Sequence, residues 1–148
     1  MTIEKVNLKN IEEIKEIAEL IFYVFNEKNK SSSTEYLINK YNDLYGEWYD
    51  YDKLVKHFQE WNDIFLKAVE DGKIVWVIRW KYDKIINLYV DPNQQWKWMG
   101  KSLILKFEEL ALEKGIKKIY LKSSDSAESF YKYMWYIHEN WKYLEKHF

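Results

Sequence analysis

The stretch Ile85-Ile86-Asn87-Leu88-Tyr89-Val90, then Asp91-Pro92-Asn93-Gln94-Gln95-Trp96-Lys97-Trp98-Met99-Gly100, then Lys101-Ser102-Leu103-Ile104, changes periodicity twice. Ile85 to Val90 reads as an apolar strand, stopped by Asp91-Pro92 because proline cannot donate to a ladder. Asp91 to Gly100 reads as a loop. From Lys101 the apolar residues Leu103, Ile104, Phe107, Leu110 and Ala111 recur at helical spacing, and Lys114-Gly115 supplies a C-cap. A strand that runs through a loop into a helix aims free backbone N–H groups and the positive end of the helix dipole at one spot, which suits a phosphate or pyrophosphate. Lys97 and Lys101 add cationic side chains there and Ser102 a hydroxyl. By itself the signal is weak, because most strand-loop-helix connections with a lysine bind nothing.

Upstream, Asp71-Gly72 joins two strand-like runs, Ile64 to Val69 and Lys73 to Trp80, as a hairpin, and Lys81 to Lys84 turns the chain into the Ile85 strand. Further back, Ile11, Ile14, Ile17, Ala18, Ile21, Phe22 and Phe25 predict an amphipathic helix from an Asn10 cap to about Asn26. Lys28 to Ser33 is a polar break. A second helical stretch begins at Thr34 and contains Tyr36, Leu37, Tyr41 and Leu44, and a short third one runs through Leu54, Val55 and Phe58. Downstream lie a strand from Ile116 to Leu121 and a short helix through Ala127, Phe130, Tyr131 and Met134. Tyr136 to Phe148 then reads as one or two strands. The order ααβββαβαβ, without repeat or linker, predicts one α+β (mixed α/β) domain over residues 1–148 with a central sheet.

Length and balance agree with that reading. A chain of 148 residues, 47% hydrophobic and 32% charged, suffices for one core and buries roughly two thirds of its unfolded surface. With 23 Lys+Arg against 24 Asp+Glu, the balanced field gives no support to nucleic-acid or anionic-membrane binding. The short run Trp96-Lys97-Trp98 could stack on bases, but nothing around it extends a basic surface. The absence of cysteine excludes disulfides, thiolate metal sites and a Cys nucleophile, and three scattered His make no metal site. Met1 to Leu8 carries no apolar run of signal-peptide or anchor length, so a soluble, cytoplasmic protein is expected. Four Gly stand where average usage predicts roughly ten, beside eight Trp.

Several linked features together resemble the GNAT superfamily of acyl-CoA-dependent N-acetyltransferases. They are Leu88-Tyr89-Val90-Asp91-Pro92, Gln95 with Gly100-Lys101-Ser102-Leu103, Ala111-x-x-Lys114-Gly115, Leu121, and Ala127-x-x-Phe130-Tyr131. The resemblance covers roughly residues 60–148, and the helical N-terminal part is compatible with that family's first strand and two helices. It implies a central, mixed but mostly antiparallel sheet flanked by about four helices, with a V-shaped splay between the fourth and fifth strands. It implies acetyl-CoA as co-substrate. The pantetheine arm would pair with backbone at Leu88, Tyr89 and Val90 like an added strand. Gln95, Trp96, Lys97, Trp98, Met99, Gly100, Lys101 and Ser102 would hold the phosphates. Ser124 and Ala127 would border the CoA arm, Ser124 at a position where many members have Asn. Tyr131 matches a tyrosine that can protonate the departing CoA thiolate, although spacing alone favours an inner-face aromatic beside Phe130. The acceptor implied is a primary amine on a small molecule or peptide, and a homodimer is compatible. In the acidic-aromatic segment Tyr41 to Asp52, Asp43, Glu47, Asp50 and Asp52 would attract a cationic amine, and Tyr45, Trp48, Tyr49 and Tyr51 would offer cation–π faces. The same segment also reads as a solvated loop with aromatic anchors. Glu47, Asp50, Asp52 and His138 are the candidates for a base or water relay.

The chain departs from the family pattern where Trp76, Trp96, Trp98 and Trp135 stand at positions commonly glycine. Glycine serves close backbone approach and positive φ. Three readings follow. The indoles point outward and acyl-CoA still binds, one of them stacking on adenine. Alternatively the cofactor site is impaired by Trp96 and Trp98, and the fold serves as a non-catalytic binding protein. Or the positions are glycine in the natural protein: one base separates the glycine codons GGA and GGG from UGA and UGG. A source that reads UGA as glycine would then show tryptophan selectively at glycine sites.

Overall fold

The computed structural model describes residues 2–60, 64–81, 84–91, 97–123, 128–141 and 143–148. Its elements are β1 (Thr2–Lys5), α1 (Ile11–Val24), α2 (Glu35–Tyr45), α3 (Tyr51–Glu60), β2 (Ile64–Glu70), β3 (Lys73–Lys81) and β4 (Lys84–Val90). There follow α4 (Lys97–Glu113), β5 (Lys118–Leu121), α5 (Glu128–Tyr133), β6 (Ile137–His138) and β7 (Leu144–His147). One sheet runs β1-β2-β3-β4-β5-β7-β6. All its pairs are antiparallel except β4 with β5. The predicted mixed α/β class and mostly antiparallel sheet are therefore present, with five α-helices among the described residues where about four were expected.

The sheet separates two cores. On one face Leu103, Ile104, Phe107 and Ala111 of α4 pack with Leu66, Trp76, Ile78, Trp80, Tyr131 and Tyr136. On the other, Ile14, Ile17, Ala18 and Ile21 of α1 pack with Leu54, Phe58, Phe65, Val77 and Tyr89. Each fully buried aliphatic side chain contributes about 1.5–3 kcal/mol, so the helical stripes are what hold α1 and α4 to the sheet.

Local signals explain most element ends. The Asn10 side chain accepts from the Glu13 N–H at 3.2 Å, so the predicted cap is present, and Thr34, where the second helix was expected to begin, accepts from the Leu37 N–H at 3.3 Å and caps it. After α4, Gly115 at φ +80° closes the helix, with Ile116 N–H bonded to the Ala111 carbonyl.

Three expectations change. β1 joins the sheet edge by pairing Thr2–Lys5 with Val69–Leu66, a contact between chain segments far apart that periodicity cannot show. α1 ends at Val24 and widens into a π-helical turn, Phe25–Asn29, followed by a 3₁₀ turn, Lys30–Ser32. There the Ser32 and Ser33 hydroxyls both bond to the Asn29 carbonyl and compete with the helix ladder. Finally, α4 starts at Lys97, not Lys101. Residues 97–100 form its first turn instead of the end of a loop, since helix geometry continues backward wherever no residue breaks it.

Candidate functional site

β3 pairs with β4 from Trp76↔Val90 to Lys81↔Lys84, so one edge of β4 is occupied along its length. The other edge meets β5 only at Lys84↔Tyr120 and Ile85↔Leu121. β5 ends at Leu121, so β4 runs on past Ile85 to Val90 without it, at the place where the splay is expected. Backbone groups along that edge up to Val90 have no strand partner among the described residues, and such an edge can accept an extended ligand.

The end of β4 lies beside the first turn of α4, since Val90 pairs with Trp76 and the Trp76 indole packs against Gly100. There the first-turn N–H groups of residues 97–100 lack intrahelical acceptors and carry the positive end of a 17-residue helix. Lys101 is exposed, and its Nζ lies 5.6 Å from the ring centre of Tyr133 on α5, so it reaches across from α4 to α5. Ser102 is half-buried. Gly100 is buried with reason. A Cβ there would lie 2.6 Å from Trp76 Cη2 and 2.9 Å from Phe130 Cζ, so β3, α4 and α5 converge on this glycine. Asp91 closes β4, its N–H bonded to the Val75 carbonyl and its buried carboxylate held by Lys73 at 3.3 Å.

The residues proposed from sequence distribute as follows. Leu88 packs into the core on the α4 face, whereas Tyr89 is buried on the opposite face. Val90, Lys97, Trp98, Met99, Gly100, Lys101 and Ser102 follow in order along the end of β4 and the start of α4. Gln95, Trp96, Ser124 and Ala127 lie outside the described residues. Tyr131 sits on α5, buried and packed edge-on against Phe130 and Tyr136 at 5.3 and 5.9 Å between ring centres. Burial pushes its hydroxyl well above the usual tyrosine range, so it is protonated at neutral pH.

The acidic segment is less concentrated on one spot than its composition suggests. Asp43 pairs with Lys53, and Asp50 caps α3 by accepting the Lys53 N–H at 3.1 Å. Glu47 and Asp52 are exposed. Trp48 is 90% exposed, but Tyr45 is buried and offers no outward face. His138 lies on β6, with Nε2 2.5 Å from Glu128 Oε1.

Sequence reasoning passes over a polar group beneath β4, on the α1–α3 face. Tyr41 and Tyr89 share a hydroxyl hydrogen bond of 2.7 Å. His57 Nε2 lies 3.5 Å from the Tyr45 hydroxyl and 3.4 Å from Arg79 Nη2. The Arg79 guanidinium lies over Phe58 and Phe65, 5.2 and 5.9 Å from their centres. Burial, then the Arg79 and Lys40 charges, lower the His57 pKa to about 4, so the ring is neutral at pH 7. Burial also raises Tyr45 to about 12 and lifts Tyr89 well above the usual range. The available signal was Arg79 itself, a lone charge in the apolar run Ile74 to Trp80, since arginine is rarely buried without partners.

A family model described as an acetyltransferase (GNAT) domain matches residues 31–147. No curated protein matches the chain. Solved structures with the same fold include a PaiA N-acetyltransferase from Thermoplasma acidophilum in complex with coenzyme A, at 20% identity and TM-score 0.64, covering 100% of both chains. An aminoglycoside 6'-N-acetyltransferase from Enterococcus faecium shares 15% identity at TM-score 0.72, covering 99% of this chain and 97% of that one. A GNAT family acetyltransferase from Brucella melitensis in complex with acetyl-CoA shares 16% identity at TM-score 0.65, with 99% and 87% covered.

Proposed function

Because the chain belongs to the GNAT acetyltransferase family, we propose that it transfers an acetyl group from acetyl-CoA to a primary amine of a small molecule or peptide, as a single cytoplasmic domain spanning residues 1–148. The observation that carries this reading is the edge of β4 left without a strand partner among the described residues from Ile86 to Val90, beside the first turn of α4. The free edge at Leu88, Tyr89 and Val90 would pair with the pantetheine amides, and the α4 N-terminus with Lys101 and Ser102 would take the phosphates. Gln95 to Met99 would complete that seat, and Ser124 and Ala127 the opposite wall. Gly100 puts no side chain into that turn, and the exposed Lys101 and half-buried Ser102 supply a cation and a hydroxyl, a donor set that fits a pyrophosphate, while Trp76 packs against Gly100 from the core.

When bound, acetyl-CoA supplies an activated carbonyl. A neutral amine attacks it, the carbon–sulfur bond breaks, and the sulfur receives a proton. Tyr131 would deliver that proton. A thiol titrates at about 8.5 and burial holds Tyr131 above the usual tyrosine range, so transfer from Tyr131 alone is uphill; it balances when the proton released by the attacking amine returns to the Tyr131 oxygen. Glu47, Asp50 and Asp52 would draw a cationic amine toward the cleft by charge. Orientation of amine and thioester, with no covalent enzyme intermediate, supplies the rest of the acceleration.

Calorimetric titration with acetyl-CoA, followed by thiol-release assays with a panel of amines that includes aminoglycosides and peptides, tests the proposal. Binding with amine-dependent thiol release is expected. Absence of binding would favour the second reading, a non-catalytic protein on the same fold.

A further inference from the structure

We propose that glycine occupies all eight tryptophan positions of the natural polypeptide, Trp48, Trp61, Trp76, Trp80, Trp96, Trp98, Trp135 and Trp141, each through a UGA codon that the source translates as glycine. The backbone carries this inference independently of acetyl-CoA binding. Trp135 has φ +72°; the other described residues at positive φ are Asp71, Gly72 and Gly115. Aspartate tolerates that region and glycine favours it, whereas a bulky side chain there is an outlier.

Trp135 also sits in the same motif as Gly115. At the end of α4, Gly115 N–H bonds to the Leu112 carbonyl and Ile116 N–H to that of Ala111. At the end of α5, Trp135 N–H bonds to the Lys132 carbonyl and Tyr136 N–H to that of Tyr131. Both are Schellman closures, whose left-handed residue is usually glycine. The indole of Trp135 is meanwhile 79% exposed, so no burial favours it.

The two described strand tryptophans point the same way. Trp76 and Trp80 are buried, yet neither indole N–H has a hydrogen-bond partner among the described residues, although buried indoles normally find one. Each flanks a register shift. Ala68↔Trp76 is followed by Val69↔Ile74, and Arg79↔Asn87 by Trp80↔Ile85. A glycine within a strand typically marks such a bulge or a close backbone approach.

Trp141 follows Asn140 in the connection between the antiparallel strands β6 and β7, where the Asn140 side chain accepts the Tyr143 N–H. Asn-Gly is the favoured pair in tight hairpin connections. Trp48 and Trp141 are each 90% exposed. Four glycines and eight tryptophans together make twelve, near the roughly ten that average usage predicts. The consequence for the candidate site is direct. Positions 96 and 98 become glycine before Gly100, and the Trp76 indole leaves the space between β3, α4 and α5.

Peptide mass spectrometry of the protein isolated from its own cells, read beside the codons of its gene, tests the inference. Glycine-bearing peptides and UGA codons at all eight positions are expected. A UGG codon at any of them, or a tryptophan-bearing peptide covering Trp76, Trp80 or Trp135, overturns it. A second comparison uses the chain with glycine at all eight positions and the chain with tryptophan, each titrated with acetyl-CoA. The glycine chain should bind at least about tenfold more tightly, and equal, measurable affinities would overturn the stated consequence for the candidate site. Glycine in the mass spectrum with no acetyl-CoA binding by the glycine chain would instead remove the acetyl-transfer reading and leave this inference standing.

Discussion

Replacing Trp135 by glycine should stabilise the protein even though it removes the large indole that follows α5. The position lies at φ +72°, where a residue with a Cβ is strained by about 1–2 kcal/mol. Glycine releases that strain but loses about 0.5–1 kcal/mol more backbone entropy on folding. Because the indole is 79% exposed, little burial is forfeited, and the net gain is about 0.5–1 kcal/mol. For a domain of this size about 1 kcal/mol moves Tm by roughly 2–4 °C. Thermal unfolding by circular dichroism and the urea midpoint at unchanged m-value measure it. Trp135→Ala is the control, since it removes the same indole and keeps the Cβ. A rise for Trp135→Gly with none for Trp135→Ala is expected. If the two variants shift together, or glycine lowers the midpoint, the backbone-strain reasoning is wrong.

Tyr131→Phe should lower turnover by about 10²-fold or more, the usual contribution of a positioned acid, while acetyl-CoA affinity by calorimetry stays within about twofold; unchanged turnover would remove the acid role. Gly100→Ala should cost about 1–3 kcal/mol by overpacking, because its Cβ would meet Trp76 and Phe130. In a Trp76→Gly background the cost should fall sharply, which a double-mutant cycle in urea reads out. The lowered His57 pKa makes stability pH-dependent: between pH 6.5 and about 4 the unfolded state binds the proton that the folded ring refuses. Its contribution is intact above pH 6.5, declines as pH falls toward 4 and is flat below. His57→Gln should flatten that limb of the urea-midpoint profile, and an unchanged slope would refute the assignment. Lys146→Met should destabilise at neutral pH by about 3 kcal/mol, since it strips the buried Glu108 carboxylate of its 3.0 Å partner. Burial already raises the Glu108 pKa, so the deficit should shrink on acidification as that carboxyl neutralises; a deficit independent of pH would contradict this.

What the chain reveals unaided is whatever short-range physics controls. The Ile11 to Phe25 stripe, the Asn10 cap, the Thr34 helix start, the Asp71-Gly72 hairpin and the Lys114-Gly115 stop all act over a few residues, and each element they specify is present. The strand-to-helix order around Val90 and Lys101 likewise carried the family resemblance, because the motif is contiguous. Tertiary structure alone decided the rest. β1 exists only because β2 offers it an edge, and α4 gains a turn back to Lys97. Tyr41 meets Tyr89 across 48 residues, and His57 meets Arg79 across 22. Such contacts depend on which faces the sheet brings together, and neither spacing nor composition encodes that locally. The tryptophans lie between the two cases. Their number was visible in the sequence, but the left-handed backbone at Trp135 and the unpartnered indoles of Trp76 and Trp80 became evident only after folding fixed each φ and buried each N–H.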